Sequence, residues 1–422
     1  MNQNRTLKVV HICTTLNGGA GLCASRIMEA TRKLGVDARA VVAYGDKSEY
    51  VDVVEENIQW SRYTLIKKFQ KLIMLMGLWP HSRRVSQRIW KAREGEKSQT
   101  VFTSPVTAFT KLANHPWVKE ADIVHLHWIG NFVDYESFFK SVRQPIVWTM
   151  HDQNPGLGGF HFQLWKDDAP TKLKKLDDEL MVIKRKAYDQ IGSMTLVTIS
   201  SVMDEYAKSN SLLSRFPRVK IPNGVDGEAY VPIDKKTARK TLGIPDGSIV
   251  FLFVAEMIHE ERKGLDKLVS AIEKTDVPSK MLICLGRYRQ VPTASFPIRC
   301  EGHVPNSRLQ SIYYSAADYY VLPSTLEAFS QSQLEAMACG SPVISFPCSG
   351  AEDLIDETNG VVCESFSIKA LVNGIAQALS RHYDGKAIRQ SVLSQYSYDK
   401  VGQRYLDCYI RLLHEKGVVG SC

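Results

Sequence analysis

Short apolar runs alternate with longer stretches of helical pattern along this chain, and this alternation is the feature that most restricts its fold. The runs form two series, one at 9–12, 40–43, 123–126, 146–148 and 196–199 and the other at 249–254, 281–285, 319–322 and 342–346. Short buried strands joined by helix-length connections form parallel sheets, because a parallel strand pair needs a crossover connection. The sequence therefore predicts an α/β fold of two doubly wound domains, divided near residue 220, with ligands at the carboxyl ends of the strands.

Length and composition agree with a globular protein of more than one domain. The chain has 422 residues, of which 44% are hydrophobic and 23% are charged. It shows neither the pattern of a secretory signal nor an apolar run near the ~18 residues that span a bilayer, so we expect a cytoplasmic protein. Nine cysteines without a C-x-x-C pair favour buried, reduced thiols over a disulfide framework or a zinc ribbon.

Two glutamates, Glu327 and Glu335, lie in the segment 322–346, which reads as a strand, a loop and a helix. The helix is predicted to begin near Ser330 and to stop before Gly340. Free N–H groups at its amino end suit a phosphate, and Glu335 in the next turn can accept hydrogen bonds from a pair of hydroxyl groups. The alternative is a buried strand followed by an amphipathic helix whose Glu335 is merely solvated.

This segment resembles the E-x7-E motif of retaining glycosyltransferases of the GT-B fold, and in particular of family 4, in which EAMACG followed by P-VI recurs. The residues at 221–226 and 315–318 are similar to further motifs of that family, whereas the glycine loop at 17–21 matches more loosely. The resemblance implies two facing Rossmann-like domains with the ligand cleft between them. The first would be an acceptor-side domain at 1–220 and the second a sugar-nucleotide domain at 221–395. A helix at 396–422 would then cross back toward the first domain.

The resemblance also implies roles for individual residues. Glu327 would bind hydroxyl groups of the transferred sugar, Glu335 would bind the ribose, and backbone N–H groups at 328–330 would face the sugar or the diphosphate. The family pattern has Gly-Phe-Gly at 328–330, and it has an arginine at the position of Glu256. The predicted donor-binding residues are Gly18, Gly19, Arg262, Lys263, Ala328, Phe329, Ser330 and Glu335.

Arg262 is predicted to replace the missing arginine and, together with Lys263, which matches a lysine of the family, to neutralise the diphosphate. A guanidinium can bind phosphate oxygens in a bidentate manner, and an ammonium adds a compact charge. The alternative is a solvated charged loop in which glutamates and arginine pair with one another. The chain has no D-x-D pair to hold a divalent cation on the diphosphate, so neither a metal nor another cofactor is expected. Family resemblance implies transfer with retention at the anomeric carbon.

Two histidines follow strands of the first predicted domain. His127 comes directly after the run at 123–126 and His151 comes shortly after the run at 146–148, so both lie at ligand-facing strand ends. They resemble positions at which family members hold the transferred sugar, and a neutral imidazole can donate to a hydroxyl or relay a proton. With Glu327 they form the predicted catalytic set. His125, in the middle of its run, is predicted to be a satisfied core histidine.

Residues 60–93 contain nine Lys or Arg and no Asp or Glu, interleaved with aromatic residues. This composition suits an anionic membrane surface, where each basic group contributes about 1 kcal/mol. The candidates for membrane or acceptor binding are Lys67, Lys68, Lys71, Arg83, Arg84 and Arg88. The alternative is a helix packed on the first domain with a solvated basic face. Nucleic acid is not expected as a partner, because no binding motif accompanies the charge.

These features predict a glycosyltransferase that moves a sugar from a nucleoside-diphosphate sugar to a glycan acceptor, for which a lipid link is expected. The pathway expected from the resemblance is cell-surface polysaccharide or lipopolysaccharide synthesis, in the cytoplasm or on the inner face of the plasma membrane. Three alternatives stay open. They are a catalytically inactive sugar-nucleotide-binding relative, a nucleotide-sugar epimerase, and a dehydrogenase that uses G-x-G-x-x-A at 19–24, although the five residues 14–18 separate this pattern from the strand.

Overall fold

The computed structural model of the chain describes residues 5–54, 80–94 and 100–415. The chain divides into two compact units. Unit 1 contains the residues up to Thr198, Met203–Lys220 and the residues from Gln403 onward, and unit 2 contains Ile199–Val202 and Ile221–Gly402. Each unit is built around one sheet of parallel strands.

The sheet of unit 1 has seven strands in the described residues. They are β1 (Lys8–Thr15), β2 (Asp37–Tyr44), β3 (Val51–Val53), β4 (Ile123–Leu126), β5 (Ile146–Met150), β6 (Met194–Thr198) and β7 (Arg218–Lys220). Their order across the sheet is β3-β2-β1-β4-β5-β6-β7, and all neighbours are parallel. The order reverses between β1 and β4, which is the switch point at which doubly wound sheets bind ligands.

Helices cover the sheet of unit 1. Up to β7 they are α1 (Gly18–Lys33), α2 (His81–Arg93), α3 (Pro116–Glu120), α4 (Tyr135–Ser141), α5 (Gln163–Asp168), α6 (Thr171–Tyr188) and α7 (Ser201–Ser209). The longest of them, α6, buries Leu173, Leu176 and Leu180, whose spacing puts them on one face of a helix. These leucines pack with Val85 of α2 in one apolar cluster.

Unit 2 repeats the same topology with six strands. They are β8 (Ile249–Met257), β9 (Lys280–Arg287), β10 (Ile298–Gly302), β11 (Tyr319–Leu322), β12 (Val343–Ser345) and β13 (Gly360–Val362). The order across the sheet is β10-β9-β8-β11-β12-β13, again with parallel neighbours. The switch point of this sheet therefore lies between β8 and β11.

The helices of unit 2 pack their apolar faces against this sheet. They are α8 (Lys235–Leu242), α9 (Leu265–Lys274), α10 (Ser307–Ala316), α11 (Gln331–Ala338), α12 (Ala351–Leu354), α13 (Ile368–Leu379) and α14 (Gly385–Tyr396), and they are followed by α15 (Tyr398–Glu415). Leu268 of α9 and Ile375 of α13 join Phe251 of β8 in the core. The fold is thus the predicted α/β architecture of two parallel sheets.

Four strands have no counterpart among the predicted apolar runs. They are β3, β7, β10 and β13, and each of them is an edge strand of its sheet. Most of their residues are only half-buried, and β10 is half-buried throughout. An edge strand has a neighbour on one side only, so its side chains need not be uniformly apolar and leave no continuous run in the sequence.

The helix α15 begins in unit 2 and belongs to unit 1 from Gln403 onward. Within unit 1 it presents two buried tyrosines to the sheet. The Tyr409 hydroxyl lies 2.7 Å from His125 Nδ1, and the Tyr405 hydroxyl lies 3.1 Å from Thr149 Oγ1. Residues near the end of the chain therefore complete the polar packing on β4 and β5.

The predicted basic segment is described only in part. Lys67, Lys68 and Lys71 lie outside the described residues, whereas Arg83, Arg84 and Arg88 lie on α2. None of the helices in the described ranges is long and apolar enough to cross a membrane.

The cysteines of the described ranges are free thiols, and all except Cys300 are buried.

Candidate active site

The loop after β11 lies at the switch point of unit 2 and leads into α11. The N-cap residue of α11 is Ser330, so the helix begins where the sequence predicted it. The Ser330 hydroxyl does not cap the first turn and lies 3.0 Å from Ser332 Oγ instead. The amino-terminal N–H groups of α11 are thus not satisfied by the N-cap side chain, which suits an anionic ligand.

Glu327 lies in this loop, and two cations hold its carboxylate. Lys263 Nζ lies 2.5 Å from Glu327 Oε1, and Arg262 Nη1 lies 4.0 Å from the same oxygen. The Glu327 side chain is only 13% exposed. Burial by itself would raise the pKa of this carboxyl group, but the Lys263 ammonium and the Arg262 guanidinium hold the pKa below its ordinary value. Glu327 is therefore ionised at neutral pH.

The two cations lie on a short 3-10 helix, Glu261–Lys263, in the loop after β8. Gly264 follows this helix with a φ of 74°, and a Cβ atom there would come within 2.0 Å of the Pro323 carbonyl oxygen. Only glycine fits this conformation and this close approach. The contact holds the cationic loop against the loop that carries Glu327.

Each cation of the pair already has an anionic partner within unit 2. Arg262 Nη2 lies 2.7 Å from Glu260 Oε2, while Lys263 contacts Glu327. The internal pairing that the alternative interpretation expected is therefore present. Glu256, which occupies the position of the expected arginine, is exposed at the end of β8.

Glu335 lies on α11 and is 8% exposed, so the interpretation that it is merely solvated is wrong. The hydroxyl of the buried Tyr314 donates to Glu335 Oε2 at 3.1 Å. An ionised carboxylate can accept about four hydrogen bonds. Tyr314 therefore orients the Glu335 carboxylate. The sequence did not single out Tyr314, because it lies on another helix, α10.

The residues between the two glutamates are held by the chain after β12. The Ala328 carbonyl accepts a hydrogen bond of 2.8 Å from Ser349 Oγ. Phe329 is buried against Gly350, where a Cβ atom would lie 2.8 Å from Phe329 Cδ2. Phe329 thus has a packing role that fixes the backbone of this loop, and Ser349 and Gly350 are supporting residues that no sequence motif indicated.

The glycine loop of unit 1 forms a tight turn at the other switch point. Strand β1 continues to Thr15 and α1 begins at Gly18, so the strand-to-helix turn is shorter than the sequence suggested. A Cβ atom at Gly18 or Gly19 would meet nothing within 4 Å, whereas one at Gly21 would lie 2.3 Å from the Thr15 carbonyl oxygen. Asn17 at the N-cap makes no side-chain capping bond. The amino end of α1 is therefore open at Gly18 and Gly19 and closely packed at Gly21.

The predicted histidines lie together with a third that the sequence did not single out, His11 on β1. His11 pairs with His125 in the register of β1 and β4. His11 Nδ1 lies 2.9 Å from His127 Nε2, and His127 Nδ1 lies 3.1 Å from His151 Nε2. Because strand register cannot be read from composition, the sequence could not show that His11 lies beside the two strand-end histidines.

Burial keeps these imidazoles neutral. Desolvation lowers the pKa of His11 to about 3 and that of His151 to about 4, although the nearby Asp152 opposes the effect on His151. The pKa values of His125 and His127 are also well below their ordinary value because both rings are buried. Neutral rings at pH 7 can donate and accept hydrogen bonds but do not stabilise a bound proton.

The expectation that His125 is a satisfied core histidine is confirmed. It is fully buried, and its two ring nitrogens bond the hydroxyls of Tyr409 at 2.7 Å and Thr149 at 2.8 Å.

A second polar cluster, made of Asp152, His161 and Trp128, lies beside His151. Asp152 Oδ2 lies 2.6 Å from His161 Nδ1 and accepts a hydrogen bond of 2.9 Å from Trp128 Nε1. Burial would raise the pKa of the Asp152 carboxyl group, but His161 and the N–H group of Asn154 hold it below its ordinary value. A carboxylate fixed in this way supports the loop after β5. The sequence offered one signal for it, since Asp152 follows His151 directly.

Ligand nitrogens of His11, His125 and His127 lie within 4.8 Å of one another, which raises the question of a metal site. Both nitrogens of His125 are committed to hydroxyl groups, and His11 and His127 face each other through a hydrogen bond. A metal ion prefers nitrogen lone pairs that converge on one point. The donor set does not fit a metal, because only His11 Nε2 among these nitrogens lacks a partner in the described ranges.

Comparisons with known proteins agree with these features. A family model described as "Glycosyl transferases group 1" matches residues 234–398. A D-inositol 3-phosphate glycosyltransferase from Xylanimonas cellulosilytica is 28% identical over 319 residues, which cover 68% of this chain and 71% of that protein. The Anabaena protein HepE, solved in complex with UDP and glucose, has a TM-score of 0.63 and 15% identity, covering 95% of this chain and 99% of that chain.

The chain is a glycosyltransferase of the GT-B fold. A further relative is the GDP-mannose-dependent monoacylated alpha-(1-6)-phosphatidylinositol monomannoside mannosyltransferase of Corynebacterium glutamicum. It is 26% identical over 207 residues, which cover 44% of this chain and 54% of that protein. The group 1 match lies within unit 2 of this glycosyltransferase and contains Arg262, Lys263, Glu327 and Glu335.

The basic helix α2 of the glycosyltransferase is packed on unit 1. Val85 is buried in the cluster with α6, while Arg84 and Arg88 are exposed and Arg88 pairs with Glu179 at 2.6 Å. The opposite charges of this pair are more than half exposed, so the pair adds little stability. This part of the basic segment therefore agrees with the alternative interpretation, in which a helix packs on unit 1 and leaves its basic face solvated.

One side of α2 borders a cavity of about 530 Å³ in unit 1. Its lining includes Arg83 and Trp90 of α2, Tyr44 at the end of β2 and Asn131 after β4. Trp90 is 65% exposed and Tyr44 is 60% exposed. The exposed rings of Trp90 and Tyr44 can stack on a sugar ring, and the Arg83 guanidinium can donate hydrogen bonds to an anionic group on that sugar.

Proposed function

We propose that this glycosyltransferase moves a sugar from a nucleoside-diphosphate sugar to a glycan or lipid-linked acceptor, with retention at the anomeric carbon. The observation that carries the proposal is the ionised Glu327, which lies with Lys263 and Arg262 at the switch point of unit 2. A carboxylate held in this way can accept hydrogen bonds from sugar hydroxyls, and the two cations can bind diphosphate oxygens. The match of the group 1 model over the same residues supports it.

In this proposal the diphosphate competes with carboxylates for the two cations. Arg262 exchanges Glu260 for phosphate oxygens, and Lys263 shares its charge between Glu327 and the diphosphate. The amino end of α11 adds N–H groups to the same anion. Donor binding thereby weakens the hold of the cations on Glu327, which becomes a stronger acceptor for the sugar hydroxyls.

The remaining roles follow the family resemblance. Glu335, oriented by Tyr314, binds the ribose hydroxyls, and the backbone at 328–330 approaches the sugar or the diphosphate. Gly18 and Gly19 leave room for a ligand at the amino end of α1. His127 and His151 bind hydroxyl groups of the transferred sugar. The acceptor attacks on the face from which the nucleotide leaves, so no covalent nucleophile takes part.

The first experiment identifies the donor. HepE holds UDP and glucose in the same fold, and the Corynebacterium relative is named as GDP-mannose-dependent, so UDP and GDP and their sugar conjugates are tested first. A ligand at about 100 times its Kd adds roughly 2.7 kcal/mol to the free energy of unfolding, which a thermal-shift assay detects. We expect one nucleoside diphosphate to raise the melting temperature of the wild type and to have little effect on Glu335→Ala.

The second experiment tests the stereochemistry and the metal requirement. The anomeric configuration of the product, read by proton NMR, should equal that of the donor, and turnover should be unchanged in EDTA. An inverted product would overturn the assignment to the retaining family 4. Loss of turnover in EDTA, restored by a divalent cation, would show that Arg262 and Lys263 do not suffice for the diphosphate.

The acceptor side is proposed for unit 1, with a cell-surface glycan or its lipid-linked precursor as the acceptor and the inner face of the plasma membrane as the location. The cavity beside α2 and the basic residues Arg83, Arg84 and Arg88 support it. The name of the Corynebacterium relative contains a phosphatidylinositol acceptor, which makes a lipid-linked glycan the first class to test.

A nucleotide-sugar epimerase and an inactive relative are distinguished in the same assays. An epimerase converts the donor sugar without any acceptor, whereas an inactive relative binds the nucleotide and leaves the donor unchanged with every acceptor. Either result would overturn the proposed transfer.

A further inference from the structure

Three histidines of unit 1, His11, His127 and His151, are linked in a line by hydrogen bonds between their rings. This line, called the file, runs from the core to an accessible strand end. His11 is fully buried, His127 is 2% exposed and His151 is half-buried. His11 Nδ1 lies 2.9 Å from His127 Nε2, and His127 Nδ1 lies 3.1 Å from His151 Nε2. Of the three rings, only His151 has the exposure to meet a substrate.

The protons of this file are coupled. A neutral imidazole carries one proton, on either Nδ1 or Nε2, and the other nitrogen accepts. His127 uses both of its nitrogens within the file, so it donates on one side and accepts on the other. Both hydrogen bonds therefore form only when the three rings carry their protons on the same nitrogen, which is Nδ1 in all of them or Nε2 in all of them.

The two arrangements differ at the buried end. His11 Nε2 is buried without a hydrogen-bond partner in the described part of the chain. With the protons on Nε2, His11 would bury an N–H group that no atom accepts, whereas with the protons on Nδ1 it buries only a lone pair. A buried donor without an acceptor is the rarer arrangement in proteins. The buried end therefore favours Nδ1.

We propose that His11 is a positioning residue that acts through His127 to keep the proton of His151 on Nδ1, so that His151 presents an N–H donor to a substrate oxygen. In the residues that the structure describes, His151 bonds through Nε2, which leaves Nδ1 for the ligand. The inference rests on the proposed function in one respect, since it takes His151 to contact the substrate.

The buried end also determines what the file cannot do. A proton taken up by His151 and passed inward would have to rest on His127 or His11, in the desolvated part of the file. Burial opposes a charge there. The file therefore orients a hydrogen bond and does not carry a proton away from the substrate.

The direct test is the tautomer of each ring in the wild-type chain. Long-range nitrogen–proton correlation NMR on the full chain, labelled with ¹⁵N-histidine, distinguishes a protonated Nδ1 from a protonated Nε2 for each assigned ring. We expect a protonated Nδ1 in His11, His127 and His151. Protons on Nε2 in all three rings, or a mixed pattern, would overturn the proposal, and neither result depends on catalytic activity.

Two variants then test the role of His11. The side-chain amide of His11→Asn can donate to His127 Nε2 from nearly the position of His11 Nδ1, so His151 should keep its proton on Nδ1 and activity should stay within about twofold. His11→Ala opens a polar space that water can enter, and water donates or accepts equally well. We expect a mixture of tautomers at His151 and a fall of about tenfold in kcat/KM, the size that corresponds to one lost hydrogen bond.

A donor titration separates this inference from the proposed function. If the transferase activity is absent but the tautomers are as assigned, the proposed function fails and the file of rings stands. If the enzyme is active and the His151 resonances do not move when donor and acceptor are added, His151 does not touch substrate and the positioning role of His11 is overturned. His303→Ala, at an exposed histidine of unit 2, is the control and should leave kinetics and tautomers unchanged.

Discussion

Glu327 carries a negative charge where water has little access, and this charge depends on Lys263 and Arg262. A neutral side chain of the same shape would keep the packing but lose the strong acceptor for sugar hydroxyls. We expect Glu327→Gln to lower kcat by about 100-fold or more, the size of loss that follows removal of one preorganised hydrogen-bonding group at the reacting centre. Steady-state kinetics with the identified donor measures this effect.

The control for this prediction is Glu357→Gln, which removes the same charge from an exposed position of unit 2 that has no role in the proposed site. Its kcat should stay within about twofold of the wild type. Equal losses in the two variants would mean that general electrostatics, and not the position of Glu327, explains the effect.

Gly19 and Gly21 provide a matched pair at the amino end of α1. A methyl group at Gly19 meets no atom of the protein, whereas one at Gly21 would overlap the Thr15 carbonyl oxygen at 2.3 Å. We expect Gly19→Ala to leave the melting temperature unchanged and to raise KM for the donor severalfold, because the ligand approaches this backbone. Gly21→Ala should cost about 1–3 kcal/mol of the free energy of unfolding, which urea denaturation measures. An unchanged KM in Gly19→Ala would remove Gly19 from the donor site.

At the scale of single residues, sequence motifs identified the groups that carry charge but not their partners. Glu327, Glu335, Arg262 and Lys263 lie in short segments with a recognisable pattern. Their supporting partners, such as Tyr314, lie elsewhere in the chain and meet them only through the packing of helices on the sheet. His11 was missed for the same reason, because its contact with His127 depends on the register of two strands that are far apart in sequence.

At the scale of secondary structure, α2 is the part of the basic segment on which membrane binding can be tested. Its exposed residues Arg84 and Arg88 can face an anionic surface, where each contributes about 1 kcal/mol. We expect the double variant Arg84→Glu, Arg88→Glu to lose binding to vesicles that contain phosphatidylglycerol, measured by flotation at low salt.

The matched control is Lys236→Glu, Lys240→Glu, which makes the same charge change on the exposed face of α8 in unit 2. This variant should float with the vesicles as the wild type does. Flotation that is lost in both variants would indicate a response to net charge alone, and a wild type that never floats would exclude the membrane as a partner of α2.

The central strands of both sheets were predictable because they are buried on both faces and form continuous apolar runs. Strands β8 and β11 are examples, and each of these two strands includes its predicted run. The edge strands β3, β7 and β10 were not, since half-buried residues of mixed polarity leave no such run. Strand β13 was missed because it has only three residues. Helix α11 was located from its run of helix-forming residues and from the glycine that follows it.

For the whole molecule, the neutral histidines predict a loss of stability in mild acid. The pKa of His11 is about 3 and that of His151 about 4 in the folded chain, against 6.5 for an ordinary histidine. Below about pH 6.5 the unfolded chain binds protons on these rings that the folded chain does not. The free energy of unfolding should therefore be fully retained above pH 6.5 and should fall toward pH 4, by about 1.4 kcal/mol per pH unit for each such histidine.

Urea denaturation at several pH values between 7 and 5 measures this dependence. In His11→Phe the slope of the free energy of unfolding against pH should decrease by about 1.4 kcal/mol per pH unit. This decrease corresponds to one proton, because one buried histidine has been removed. Parallel slopes for the wild type and His11→Phe would contradict the pKa shift of His11.

The division of α15 between the two units has a consequence for synthesis on the ribosome. The strands of unit 1 come first in the chain, but Tyr405 and Tyr409, which bond Thr149 and His125, come after all of unit 2. Domains made first usually fold first. In this enzyme the packing on the first sheet therefore stays incomplete, without the two tyrosine hydroxyls, until unit 2 has been translated. A chaperone that holds this intermediate should raise the yield of active protein.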